Sequence, residues 1–543
     1  TEAVNKNSLY DSYIRAYRWA SDRIGDKGII GFVTNAGWID SNSADGMRKC
    51  LTEEFSAIYV YHLKGNQRTS GERSRQEGGK VFGEGSRAPV AIVFLVKNPA
   101  SAERGKIYFH AVDDYLTRDE KLACLRKDRS MAYTQTNVIV PDAHGDWLNQ
   151  RDDSFSRFIE IGDKKNPRNA LFKLYSSGLK TARDAWVYGS SIDRIKENVD
   201  RMFATYNQEA KEFDFDSSNF EFVRDDKLIH WNRTLENFFK RGVRNLSFDP
   251  HSLYRSIYRP FFPQHCYFNK YANDMTYQIP LLFPSNEMEN LAICSSGVGS
   301  KEYSCLMVDH IPCLDFLEKT QCFPRWLPGE QTKGAEDTLD FGEQSVMPSG
   351  FSPEALPHFQ AAYPGKPITE DDLFYYIYGI LHSEDYRTRY ANNLMKELPR
   401  IPRVATYEQF MAFVEAGQEL ARLHVHFEDV APYAGVKFEY TKVGQPSYRV
   451  TQMKWGKIKG KTGNAAKDKT TLIYNDWITV KNIPLEAQEY VVNKKSALDW
   501  VVERACVSID KASGIVNDFN DYAAEMGSER YPLDLFLKVI TVS

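Results

Sequence analysis

Residues 28–40 read GIIGFVTNAGWID, residues 57–87 read AIYVYHLKGNQRTSGERSRQEGGKVFGEGSR, and residues 88–98 read APVAIVFLVKN. Three apolar runs stand out, Gly28–Thr34, Ala57–Leu63 and Ala88–Val96. Short runs of β-branched and aromatic residues between turn signals read as strands, and runs this continuous read as strands buried on both faces. The second and third runs are joined by a long polar segment, 64–87, with six Lys/Arg against three Asp/Glu. A buried sheet that extends a long basic loop points to a site facing an anion.

Moving outward, residues 8–25 place Tyr10, Ile14, Tyr17 and Ile24 on one helical stripe, with Asn7 or Ser8 to cap its start and Gly25 to end it. A second helix is expected near 44–55. The order helix, strand, helix, strand, strand makes half of an α/β domain, because a doubly wound sheet needs further strands on its other side. KIYFHAV (106–112) reads as an edge strand, and 113–126 and 147–162 as helical segments. From 166 to about 345, short strands and loops alternate with turn residues. Residues 327–350 read as a polar linker, and 369–425 as helical, with a first helix ended by Pro399 and Pro402 and a second starting at Thr406. Residues 435–480 read as hairpins, after which the chain returns to helix.

The 543 residues carry a net charge of −4, so a nucleic-acid reading rests on local basic patches and not on bulk charge. The eight cysteines, at 50, 124, 266, 294, 305, 313, 322 and 506, form no CxxC pair and have no His at ligand spacing, which argues against a metal site. Scattered cysteines fit a reducing cytoplasm, the expected location. No apolar run reaches the length that spans a bilayer and no signal peptide is read, so no membrane partner is expected.

The strings LYDSYIRAYRWA, GIIGFVTNAGWI, AIYVYHLKG and VFGEGSRAPVAIVFLV, in this order, resemble the C-terminal half of the amino-methyltransferase domain of adenine-specific DNA methyltransferases. Over nearly the whole chain, strings such as YRPFFPQHCYFN, FYYIYGILHSEDYR and SGIVNDFNDYA resemble those of type ISP restriction–modification enzymes. The resemblance implies a single polypeptide with nuclease, helicase, methyltransferase and target-recognition parts. It implies S-adenosylmethionine as the parent's cofactor, with double-stranded DNA and the parent's N-terminal parts as partners. The expected fold class is α/β plus α+β. A partial Rossmann-like methyltransferase sheet (1–112) and a helical connector (113–165) come first. A β-rich target-recognition module (166–345), its helical part (346–430) and an α+β specificity module (431–543) follow.

Methyl transfer to adenine N6 requires a polar side chain and a carbonyl to hold the amino group, and a ring to stack on the extruded base. The family supplies these with Asn-Pro-Pro-Tyr and its variants, and no such string occurs here; nor does a Gly-rich cofactor loop after an N-terminal strand. SSGVGSKEYS (295–304) reads as a plain turn, because it lacks the Lys-Ser/Thr of a phosphate loop. The chain alone is therefore expected to be inactive, with no catalytic residue and no cofactor loop of its own. By segment order Phe82 matches the ring that stacks on the flipped base in related enzymes; the alternative is a ring that packs the base of its loop.

Candidate DNA contacts fall in three places. The loop 64–87 offers Asn66, Gln67, Arg68, Arg73, Arg75 and Lys80, side chains that bind phosphates or base edges. GLKTARDAWVY (178–188) resembles a recurring target-recognition segment and offers Lys180, Thr181, Arg183 and Asp184. YRSIYRPFFPQHCYFNKYAND (254–274) offers Arg259, Asn269 and Lys270, while its Phe residues read as core. His424 and His426 read as structural. Asp142 with Glu209-Ala210-Lys211 satisfies the bare pattern of a nuclease, but the latter lies in a helical run and carries no active nuclease. Two functions remain. One is sequence-specific DNA recognition for adenine N6 methylation and restriction within a larger enzyme. The alternative is a stand-alone DNA-binding specificity subunit without enzymatic activity.

Overall fold

The computed structural model describes residues 1, 6–68, 71–83, 85–213, 221–222, 224–328, 348–458, 460 and 467–543. Most of the expected linker 327–350 lies outside them. The chain packs as two units, 1–155 with 389–397, and 156–388 with 398–543. Among the described residues, no helix is long and apolar enough to cross a membrane.

The first unit holds α1 (Ser12–Ser21), β1 (Gly28–Asn35), α2 (Asp45–Glu54), β2 (Ala57–Lys64), α3 (Gly71–Glu77), β3 (Val90–Lys97), β4 (Lys106–Ala111), α4 (Arg118–Asp128) and β5 (Asn137–Ile139). Its sheet runs β1-β3-β2-β4-β5. β3 lies antiparallel between β1 and β2, which therefore run parallel to each other, and β4 pairs parallel with β2. The sheet is thus mixed, and β4 is interior where an edge strand was expected, because β5 adds beyond it. α1 begins later than its apolar stripe suggests. Asp11 is extended and separates it from a 3-10 turn over Asn7–Tyr10.

Burial on both faces also needs correcting. One face packs Ile30, Ile58, Val60, Val93, Leu95 and Ile107 against Tyr17, Trp38, Leu51 and Trp147. The other face, at β1, is open: Ile29 is 68% exposed and Val33 54%. An open groove of about 530 Å³ lies on that side, lined by Ile29, Tyr59, Phe94, Val96, Leu125 and Met131. Continuous apolar strands of this kind cannot reveal from sequence which face has a cover.

The segment 147–162 forms no α-helix, only a 3-10 turn Asp153–Arg157 and a short strand Ile159–Glu160. Local side-chain bonds compete with the helix here. Asp152 Oδ1 accepts from the Ser154 N–H at 2.9 Å, and Asp142 Oδ1 accepts from the His144 and Asp146 N–H groups. The helix Ala391–Lys396 belongs to the first unit through a buried ion cluster. Asp146 binds Arg48 at 2.9 Å, Arg151 at 3.1 Å and Lys396 at 3.0 Å.

A continuous core of the second unit runs from Leu179 to Ile540. Helices Glu370–His382 and Tyr407–Val425 cross with Gly379 against Gly417. The hairpin Leu253–Arg259/Phe262–Tyr267 buries Phe261 and Phe262, the core role expected of them. His424 is buried with Nδ1 2.6 Å from the Tyr378 hydroxyl and Nε2 2.9 Å from the Tyr490 hydroxyl. Burial holds it well below the usual imidazole range, and both ring nitrogens face tyrosine hydroxyls. Glu209 and Lys211 lie in the helix Ile192–Glu212, and Glu209 is buried. The expected hairpins between 435 and 480 form a four-stranded antiparallel sheet, ordered 437–440, 478–481, 467–473 and 454–457.

Candidate nucleic-acid interface

The basic loop between β2 and β3 is anchored at its base. Lys64 and Gly65 turn through positive φ (55° and 90°), and Lys64 pairs with Asp114. Lys121 of α4 is buried and donates to the carbonyls of Glu77 and Gly79, both at 2.7 Å. Burial depresses its ammonium below the usual lysine range, yet the two carbonyls give it partners. A Cβ on Gly78 would lie 2.2 Å from the Leu116 carbonyl, and one on Gly79 2.6 Å from the Arg118 N–H nitrogen. Only glycine allows this close approach. Arg118 Nε donates to the Val81 carbonyl at 2.9 Å, which fixes the exit of the loop.

This anchoring sorts the loop's candidates. Gln67 Nε2 donates to the Gly78 carbonyl at 2.9 Å, and Asn66 Oδ1 accepts from the Arg68 N–H at 3.0 Å. Both amides thus shape the loop from within. Arg68, Arg75 and Lys80 are exposed, and Phe82 is 49% exposed. Arg73 lies in α3, but its side chain is outside the described residues.

In the second unit, Lys180 pairs with Asp274 at 2.7 Å and keeps 44% of its side chain exposed. Thr181 is buried and binds Asp184, whose other oxygen accepts from the Tyr258 hydroxyl at 2.9 Å. Ala182 sits at φ 56°, and Arg183 is only 4% exposed. Arg183 Nη1 lies 3.3 Å from the Met202 sulfur, and burial lowers its guanidinium to about 10. The residues after it form a helical turn, Asp184–Val187, before a short strand. Arg259 lies over the Tyr258 ring at 3.9 Å and donates to the Tyr258 carbonyl at 2.7 Å. Its Nη2 is 4.0 Å from Asp184, so Asp184 orients this arginine. Asn269 accepts from the Tyr271 N–H and shapes its turn, while Lys270 is exposed.

The structure therefore presents Arg68, Arg75 and Lys80 in one unit and Lys180 and Lys270 in the other. It places Thr181, Arg183 and Arg259 inside. Sequence reasoning did not find Lys121 or Asp274. Lys121 stands in no motif, Asp274 ends a stretch read for its cations, and both act through backbone groups or side chains remote in the chain. Among the described residues, no group of His, Cys, Asp or Glu could hold a metal ion.

Residues 170–535 match the family model of the type ISP C-terminal specificity domain. Three solved structures align with all of this chain. A nuclease-deletion mutant of the type ISP restriction-modification enzyme LlaGI, in complex with a DNA substrate mimic, is 35% identical with a TM-score of 0.84. The ATP-dependent type ISP enzyme LlaBIII bound to DNA is 36% identical with a TM-score of 0.85. A DrdV–DNA complex is 34% identical with a TM-score of 0.83. The chain covers 40%, 34% and 52% of these chains, respectively. A comparison with curated proteins finds no match.

Proposed function

The chain belongs to the type ISP restriction–modification family and carries its C-terminal specificity domain, and from that premise we propose that it reads a short asymmetric sequence in double-stranded DNA. The reading serves adenine N6 methylation and restriction by a larger enzyme. The observation that carries it is the alignment of the whole chain with three relatives whose structures hold DNA.

In this reading the exposed cations of the anchored loop, Arg68, Arg75 and Lys80, bind phosphates and set register, and Lys180 and Lys270 do the same from the second unit. Phe82, half exposed beside that loop, stacks on the extruded adenine. The first unit supplies the back part of a Rossmann-like methyltransferase sheet. Its open β1 edge and the apolar groove beside Ile29 and Phe94 receive the methyltransferase portion, which the longer relatives have room to carry. The nuclease and helicase parts belong to the same parent.

S-adenosylmethionine would serve that parent, and this sequence carries no Gly-rich cofactor loop after an N-terminal strand. Where β1 meets a helical turn, Asn35 Oδ1 already accepts from the Gly37 N–H at 2.8 Å, and no Asn-Pro-Pro-Tyr string follows any strand. Recognition is thus the task assigned to this chain, and no chemical step is routed through its side chains.

Replacing Arg68, Arg75 and Lys80 together by alanine tests the loop. If each holds one phosphate, duplex affinity falls roughly 10- to 100-fold and the log–log salt slope becomes shallower by about 3. Fluorescence anisotropy against a salt series reads both. An unchanged slope would remove the loop from the interface.

A further inference from the structure

Between residues 437 and 481 the sequence holds ten Lys/Arg and three Asp/Glu, a local charge of +7 in a chain whose total is −4. Within this span 437–440, 454–457, 467–473 and 478–481 form one of the four-stranded sheets of the second unit. Much of the positive charge is matched. Lys442 pairs with Asp476, Arg449 with Asp518, Lys469 with Asp499 and Lys481 with Glu439. Four lysines, Lys437, Lys454, Lys457 and Lys467, are exposed and have no ion pair among the described residues.

Their placement works against the sheet. Lys457 lies directly opposite Lys467, and Lys437 directly opposite Lys481. Like charges at opposed cross-strand positions are destabilising, by a few tenths of a kcal/mol up to about 1. The alternative account is edge protection, since lysines on outer strands discourage strand-to-strand association. That covers Lys437, Lys454 and Lys457, on the two outer strands. It does not explain Lys467 on an inner strand facing Lys457. A sheet that carries two like-charge pairs and four unmatched lysines is suited to an extended polyanion.

We propose that this sheet is a second DNA contact, which grips the phosphate backbone outside the recognised bases and reads no sequence. The inference rests on the recognition reading above. It adds a surface that none of the residues named there includes. Since phosphate contacts are blind to sequence, the sheet raises affinity for every duplex by the same factor.

The test uses the full chain in two quadruple variants. One carries Lys437→Gln, Lys454→Gln, Lys457→Gln and Lys467→Gln. The control carries Lys27→Gln, Lys173→Gln, Lys227→Gln and Lys240→Gln, four exposed lysines elsewhere. Thermal melts confirm that both fold. Anisotropy with a mixed-sequence duplex is then titrated between about 50 and 200 mM salt. The sheet variant is expected to bind about 10- to 100-fold more weakly, with a salt slope shallower by about 2–4. The control variant is expected to stay within about threefold of the parent chain. Equal affinities and slopes for the two variants would overturn the inference alone. So would a sheet variant that self-associates while binding DNA normally, which would assign the lysines to edge protection. A parent chain that binds no duplex even at the lowest salt would overturn both this inference and the recognition reading.

Discussion

Gly417→Val is expected to prevent the second unit from folding. Gly417 sits where helices Glu370–His382 and Tyr407–Val425 cross, and a Cβ there would lie 2.0 Å from the Tyr375 carbonyl oxygen. The facing Gly379 is as tight, with its Cβ 2.3 Å from the Phe413 carbonyl oxygen. Even alanine at 417 forces the two helices apart by about an ångström at the centre of a close-packed core. Two effects oppose each other. Alanine favours the helix by up to about 1 kcal/mol over glycine. Overpacking of a core costs about 1–3 kcal/mol and sometimes more, and here the obstacle is rigid backbone on both sides. Packing wins, so Gly417→Ala should lose about 2 kcal/mol or more in urea unfolding. Gly83→Ala, at a site with nothing within 4 Å, should stay within about 0.5 kcal/mol. Parental stability of the Gly417 variants would mean that the crossing is not this close.

The second large effect is expected from Asp146→Ala. Asp146 is 1% exposed and takes three cations: Arg48, Arg151 and Lys396. Arg48 is fully buried and also donates to the carbonyls of Gly145, Trp38 and Ser41 at 2.8–2.9 Å. Removing the carboxylate leaves that guanidinium among carbonyls without its charge partner. Breaking a buried pair from one side costs about 3–5 kcal/mol, because the desolvated partner remains. The exposed pair Arg18–Asp22 is the contrast, and Asp22→Ala should cost less than about 1 kcal/mol. Thermal unfolding of the two variants, followed by circular dichroism, decides between them. A small loss for Asp146→Ala would mean that water or Asp40 takes over the cations.

How much of this was legible in the sequence varies with the range of the forces involved. The three apolar runs located β1, β2 and β3 to within a few residues, since a strand's apolar pattern is local. Their neighbours were not legible. The insertion of β3 between β1 and β2 is a pairing choice made across the chain, and the open face beside Ile29 shows no mark in its own run. The same limit applies to the site. Basic residues in 64–87 were visible as charge, but which of them reach solvent depends on Lys121, Glu77 and the glycines at 78 and 79. GLKTARD was visible as a string, yet Thr181 and Arg183 turn inward because Ala182 takes a positive φ and Asp184 binds Thr181 and Tyr258. The lysine-rich sheet was countable in the sequence, but its like-charge pairs appear only once the register is known.

The most direct test of the central claim is selection by this chain from a pool of randomised duplex DNA, with the bound fraction sequenced. Recognition by the specificity domain predicts enrichment of one short asymmetric site, with binding to it surviving salt that removes most non-specific complexes. Binding that vanishes with salt and enriches no sequence would contradict the claim that this chain reads the DNA.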